Sequence, residues 1–396
     1  MRKLYMAIAV IMLIALLIPT GLASAETTSV TVASGGGGMP VVKCKWEAES
    51  ATSPVESGDP THALYQTAYP TNSQFNPPMV KCATKNLYFF AVVTDAEDSG
   101  DVEEVFSYVY HPAGSPAPYG TAVNPNDENR CGFKYKVVYE KITNNATAAS
   151  LINAAYAAHL ITLASGYTIE ELTGENGEIT KGTARLWRGT EIIDYEQPAG
   201  NYTVRCFAVD SNNNYSGVLE NQFEYVATSG IEADFSGIVY GSVNLNTIKL
   251  VAGDWIWVDG DPLAGEGQAN QATVRNIGNT WAALTIQQDD MLFGKAGSAA
   301  GTALQGSSPL GTASNWNVNF DVRLGSNNIF RRYFDPGVKV TTPNFLGLST
   351  KEELDLSILV KNGNGTHTGT VTLGSVIVPF SADTDLLVGT ADPCNG

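Results

Sequence analysis

The sequence predicts an all-β fold: two β-sandwich units in series, the first carrying a short helical insertion. Three observations predict it. Val, Thr, Tyr, Phe and Ile recur in short runs separated by Gly, Asn, Asp and Pro, the punctuation of strands and turns. Helix-forming stretches are scarce, with one exception near 147–172. Of the 396 residues, 43% are hydrophobic and 16% charged, which is ample apolar material for packed cores.

The chain opens with Arg2 and Lys3, an apolar run over 7–18, a break at Pro19 and Gly21, and the small-x-small pattern of Ala23, Ser24 and Ala25. This predicts a signal peptide over 1–25 and a mature chain that starts at Glu26, secreted and extracellular. Read instead as a retained anchor, 5–17 falls short of the ~20 residues of a spanning helix. No later stretch approaches that length, so no membrane span is expected after cleavage. Residues 26–32 alternate polar and β-branched side chains and run into glycines 35–38, giving a strand-like arm and Gly hinge over 26–40.

The first unit is expected over 41–229. Residues 44–78, rich in Pro, Ser, Thr and Asn, read as irregular cover or an edge element. Strands are expected at 87–93, 102–110, 133–139, 183–188, 200–209 and 220–226, with an acidic turn at 95–101. In the insertion, Leu151, Ile152, Ala155, Leu160 and Leu163 fall at helical spacings; the helix either binds a partner or plugs one open end of the sandwich. After a linker at 227–230, a second unit over 230–380 is expected to hold strands at 236–243, 248–251, 255–258, 272–276, 281–287, 316–324, 353–360 and 368–378. A tail, 381–396, closes the chain.

The first unit resembles the bacterial-type Ig-like domains of secreted proteins. The resemblance rests on Val93, Asp95 and Val102 to Val105, then on Gly200, Tyr202, Thr203, Val204, Ala208, Val209, Asp210 and Asn214, the late hairpin that closes the sheet. The second unit, through "GSVNLNT", "ATVRNIGNTWAALTI", "LGLSTKEELDLSILV" and "GTHTGTVTLGSV", resembles a prokaryotic, particularly archaeal, surface-protein module of Ig-like type, with an "N-x-G-N" turn after a strand and a "T-G-T-V" final strand. The resemblance implies two Ig-like sandwiches and leaves the ligand open.

Forty acidic residues against 23 basic ones give a net charge of −17, and loss of Arg2 and Lys3 with the leader makes it more negative. Such a chain repels phosphate, so neither nucleic acid nor anionic lipid is an expected partner. An oxidising compartment makes Cys44, Cys82, Cys131 and Cys206 disulfide candidates, with Cys394 the odd thiol. The cysteines form no CxxC, and His62, His111, His159 and His367 are scattered, which argues against a structural zinc. Sequons at Asn145, Asn201, Asn214 and Asn364 would permit glycosylation.

Asp95, Glu97, Asp98 and Asp101 crowd hard oxygens onto one turn where calcium is a candidate ligand; a solvated acidic turn is the plain alternative. Asp259, Asp261 and Glu266 form a second, weaker cluster. No cofactor beyond calcium is implied. Trp255 and Trp257 share one face of an expected strand: outward they would make a carbohydrate-binding platform, inward they are core, and the apolar Ile256 between them favours core. No GxSxG, HExxH or Walker loop is present, and glycosidase chemistry from the carboxylates would need a separation that sequence does not give. The expectation is a non-enzymatic structural or adhesive cell-surface protein, such as a filament, sheath or S-layer-type subunit joined by strand exchange, with copies of itself, other surface proteins or glycans as partners. A secreted carbohydrate-binding protein is the rival.

Overall fold

A computed structural model describes residues 38–54, 73–96, 100–112, 134–195, 197–260, 262–289, 291, 318–326, 328–333, 337–360 and 365–380. The expected signal peptide, the arm at 26–32 and the tail 381–396 lie outside them, as do Glu97, Asp98, Cys131, Asn364 and Cys394.

The chain is mostly β. In order come β1 (Val41–Ala48), β2 (Ser73–Phe75), β3 (Thr84–Thr94), β4 (Val102–Tyr110), β5 (Lys134–Ile142), α1 (Asn145–Ala157), β6 (Thr162–Leu163), α2 (Ile169–Thr173), α3 (Glu178–Lys181), β7 (Ala184–Asp194), β8 (Gly200–Asp210) and β9 (Leu219–Tyr225). The remainder holds β10 (Ile231–Ala233), β11 (Gly237–Val239), β12 (Ile248–Val251), β13 (Leu263–Gly265), β14 (Thr273–Asn276), β15 (Trp281–Gln288), β16 (Val318–Leu324), β17 (Arg331–Arg332), β18 (Val340–Leu346), β19 (Lys351–Val360) and β20 (Val371–Val378).

Among the described residues the first nine strands form one sheet, ordered β2-β9-β8-β4-β5-β7-β3-β1-β6. It curls on itself, so one core fills the space between its two halves: Phe89, Ala91 and Val93 of β3, Val105 and Val109 of β4, Val204 of β8, and Phe223 and Tyr225 of β9. The Tyr202 hydroxyl donates to Pro198 O at 2.7 Å and ties the start of β8 to its own approach.

Of the expected irregular cover or edge element over 44–78, Ser73–Phe75 forms the end strand β2, whereas residues 44–48 belong to the long strand β1, which lies between β3 and β6. A β-bulge between Val42 and Cys44 resets the alternation. Val42, Lys45 and Glu47 thereby face the space inside the curl, while Cys44, Trp46 and Ala48 face outward onto a second apolar layer. That layer is the helical insertion. Ala148, Leu151, Ile152 and Ala155 of α1 and Leu172 of α2 pack on Trp46, Phe90, Val92, Ala184 and Leu186. The apolar stripe therefore covers the outer face of β1, β3 and β7, neither offering itself to a partner nor plugging an end. Local signals start these helices: Asn144 caps α1 by accepting from Thr147 N at 3.1 Å, and Thr168 with Glu171 forms a capping box on α2.

The later strands pair as β10-β14-β19-β16-β17 with β12 on β19, as β18-β15-β20, and as β11-β13. They enclose a core of Val274, Leu284, Ile286, Phe320, Val322, Leu354, Leu356 and Ile358. All described residues belong to one compact unit, Gly37–Gly396. The "N-x-G-N" turn is its joint. Asn279 accepts from Thr228 N at 2.8 Å and donates to Val226 O at 2.9 Å, and its own carbonyl accepts from Ala199 N at 2.8 Å. Gly278 is required there, since a Cβ would sit 2.4 Å from Thr228 O.

Residues 255–258 form no strand. Gly253 lies so close to β19 that a Cβ would stand 2.4 Å from Leu354 N, and Asp254 Oδ1 accepts from Ile256 N at 2.9 Å, a local turn that competes with ladder pairing.

Candidate functional site

Inside the curled sheet three polar side chains from distant parts of the chain meet in an apolar core. Lys45 and Glu47 lie two residues apart on the inner face of β1, each 0% exposed, and Asn221 on β9 is 7% exposed. Their backbone partners are apolar: Ala91 and Phe89 pair beside Lys45 and Glu47, and Val204 beside Asn221. In pairing order β8, β4, β5, β7 and β3 separate β9 from β1, so only the curl brings these side chains together.

The contacts form a closed triangle. Lys45 Nζ donates to Glu47 Oε1 at 2.7 Å and to Asn221 Oδ1; Asn221 Nδ2 donates to Glu47 Oε2 at 2.7 Å. The amide orientation follows from this network, because the reverse would set Nδ2 against the lysine's donors and Oδ1 against the carboxylate. Each carboxylate oxygen of Glu47 thus faces one nitrogen. Around the triangle stand Cys206, Ser107 and Tyr139, with Ser107 Oγ and Tyr139 Oη 2.7 Å apart. Burial pushes the Cys206 thiol up to about 11 although the Lys45 charge draws it down, and burial holds the Tyr139 hydroxyl well above its ordinary range. Burial likewise raises Cys44. Cys44 and Cys206 are both free, which removes them from the expected disulfide framework. They sit on opposite faces of the sheet layer, in different apolar clusters. Cys82 is disulfide-bonded.

Of the four carboxylates proposed from the sequence for calcium, Asp95 and Asp101 fall within the described residues. Asp95, at the end of β3, and Asp101, before β4, lie with Asp210, at the end of β8, so that one oxygen of each falls within 4.8 Å of the others. Asp210 was not expected in this role; the signal was its place in the closing hairpin, opposite Val102. Desolvation, which raises the Asp210 carboxyl, is outweighed by hydrogen bonds from Asn214 and then Asn212, which hold it below the ordinary carboxylate range. Three hard carboxylates at one end of a sheet form a donor set suited to calcium. In the weaker cluster, Asp259 accepts from Trp257 Nε1 at 2.8 Å and Glu266 pairs with Lys249 at 3.0 Å.

The core reading of the tryptophans is overturned. Trp255 is 51% exposed and Ile256 67%, while Trp257 is half-buried under the Arg275 guanidinium, 3.7 Å from its ring centroid. Of the sequons, Asn201 is exposed; Asn214 commits its amide to Asp210 at 2.7 Å, and Asn145 accepts from Arg185 at 3.1 Å. His111 bonds Gln197 at 2.8 Å inside the fold. No helix among the described residues is long and apolar enough to cross a membrane.

No protein-family model matches the chain, and no curated protein matches it. Its structural neighbours are bacterial surface adhesin and pilin domains. The C-terminal domain of the Streptococcus pyogenes antigen I/II-family protein AspA is 11% identical with a TM-score of 0.18, over 85% of this chain and 95% of that one. BcpA, the major pilin subunit of Bacillus cereus, is 10% identical with a TM-score of 0.20, over 78% of this chain and 70% of that one. The C-terminal domain of the Streptococcus agalactiae polypeptide BspA is 9% identical with a TM-score of 0.16, over 78% and 96%. TM-scores this low carry no argument about fold or role.

Proposed function

We propose that the chain is a non-enzymatic structural or adhesive protein of the cell surface, a filament, sheath or lattice subunit of two Ig-like units that assembles by strand exchange between subunits. The observation that carries this reading is the edge of β20. Its eight residues, VTLGSVIV, contain neither Pro nor charge, they end the order β18-β15-β20 among the described residues, and Val376 and Ile377 are 41% and 46% exposed. Folds usually blunt such an edge with charge, Pro or a bulge, because its amides and carbonyls accept another strand. The sequence at 26–32, which follows the expected signal peptide and precedes glycines 35–38, has matching polar and β-branched alternation and would supply the added strand. Calcium on Asp95, Asp101 and Asp210 would pin the β3–β4 connection to the end of β8. Deleting 26–38 tests the reading by electron microscopy of the purified chain: regular polymers are lost while circular dichroism is unchanged. A deletion variant that polymerises normally overturns it.

The exposure of Trp255 beside the Arg275-backed Trp257 favours a second reading, a carbohydrate-binding surface. Binding on a glycan array that disappears in Trp255→Ala supports it; an array without binding rejects it.

A further inference from the structure

We propose that Lys45 and Asn221 are joined by an intramolecular isopeptide bond, formed without an enzyme and assisted by Glu47. The geometry supplies each requirement. The amine and the carboxamide are in contact, Lys45 Nζ against Asn221 Oδ1, so the bimolecular step is already assembled; well-oriented intramolecular reactions reach effective molarities of about 10⁵ M or more. The carboxylate is placed to move the protons, with Oε1 2.7 Å from Lys45 Nζ and Oε2 2.7 Å from Asn221 Nδ2. The surroundings are dry and apolar, with Phe89, Ala91, Val204 and Phe223 among the walls.

The step balances without an oxidant or co-reactant. One proton passes from the Lys45 ammonium to Glu47 Oε1, leaving a neutral amine and a carboxylic acid, so that no isolated charge is stranded in the core. The Nζ lone pair attacks Asn221 Cγ, and the new C–N bond forms as the carbonyl π pair moves onto Oδ1. Glu47 delivers its proton through Oε2 to Nδ2 and takes up a second one from Nζ. The C–Nδ2 bond breaks, its electron pair leaves with nitrogen, and ammonia is released. The product is a secondary amide beside a neutral Glu47 carboxylic acid, and the leaving group departs as neutral ammonia, so the core keeps no unpaired charge. Dilution of ammonia draws the reaction forward, and a buried ion pair has been exchanged for a neutral amide. The bond ties β1, the first described strand, to β9, the last of the nine-stranded sheet. A pull along the chain would then pass through side chains 45 and 221 and bypass the strands between them.

The test is the intact mass of the full chain, reduced and unfolded, with its N-terminus determined. The wild type is expected to be lighter than its sequence by one ammonia. Glu47→Gln and Asn221→Ala are expected at the full mass of their own sequences. A wild type at full mass overturns the proposal, and so does an ammonia deficit that persists in Asn221→Ala. Because the wild type alone decides the first outcome, a variant that fails to fold does not protect the proposal.

Discussion

Replacing the whole triangle by apolar side chains, Lys45→Met with Glu47→Leu and Asn221→Leu, separates a covalent tie from an ion pair by the sign of the stability change. If the three groups are only hydrogen-bonded, the replacement leaves no orphaned charge or donor, and exchanges of this kind are neutral or stabilising by about 1–4 kcal/mol. If a bond joins residues 45 and 221, the variant loses a cross-link spanning a separation of 176 residues. The loop-closure argument used for disulfides then gives about 5 kcal/mol less stability. For a unit of this size each kcal/mol moves Tm by roughly 2–4 °C, so Tm should fall by roughly 10–20 °C. The assay is calorimetry together with urea unfolding, and the denaturant slope adds a second readout. A cross-linked unfolded chain exposes less surface, so the wild type should show a smaller m than the variant. A variant of equal or higher Tm with an unchanged m would refute the reasoning.

Asn279→Ala removes two side-chain hydrogen bonds at the joint, to Thr228 N and Val226 O, and should cost about 2 kcal/mol by denaturant unfolding; a change within error would show that the turn does not hold the joint. Burial, and then the neighbouring Glu353 charge, pushes the Glu352 carboxyl from 4.5 up to about 7. Between those values the folded state holds a proton that the unfolded state lacks, so stability falls as pH rises from 4.5 towards 7 and stays lower above it. Glu352→Gln should flatten Tm against pH in that window, and an unaltered slope would contradict the assignment. Calcium at a hundredfold excess over its Kd should stabilise the wild type by about 2.7 kcal/mol and leave Asp210→Asn unmoved; a wild type indifferent to calcium returns the cluster to a solvated turn.

Much of the sheet was legible because its strands carry ordinary alternation. The segments 102–110 and 248–251 fall on β4 and β12 as expected, and 87–93 and 200–209 lie within β3 and β8. The strand that carries the triangle was not legible, for a physical reason. In β1 the charged Lys45 and Glu47 alternate with Cys44, Trp46 and Ala48, a pattern that reads as a polar face towards water. That face is buried because its partner, Asn221, stands on a strand paired elsewhere and reaches it only when the sheet curls. The signal was present in the alternation of "KCKWEA", but the burial of its polar half depended on a contact distant in sequence. The opposite error occurred at residues 255–258, where apolar composition suggested a strand. There the side chain of Asp254 and the close approach of Gly253 to β19 set a local conformation that ladder pairing does not override. Asp95 and Asp101 were recognisable from their crowding, whereas Asp210 joined them only through the pairing of β4 with β8.

The central claim is that a covalent bond closes the nine-stranded sheet between its first and last strands. Tandem mass spectrometry of a protease digest of the reduced wild-type chain measures this most directly. The account predicts one branched species whose fragments contain both the Lys45 and the Asn221 segments, with ammonia lost at their junction and with no such species in Glu47→Gln. Recovery of the Lys45 and Asn221 peptides as two separate, linear species of full mass would contradict it.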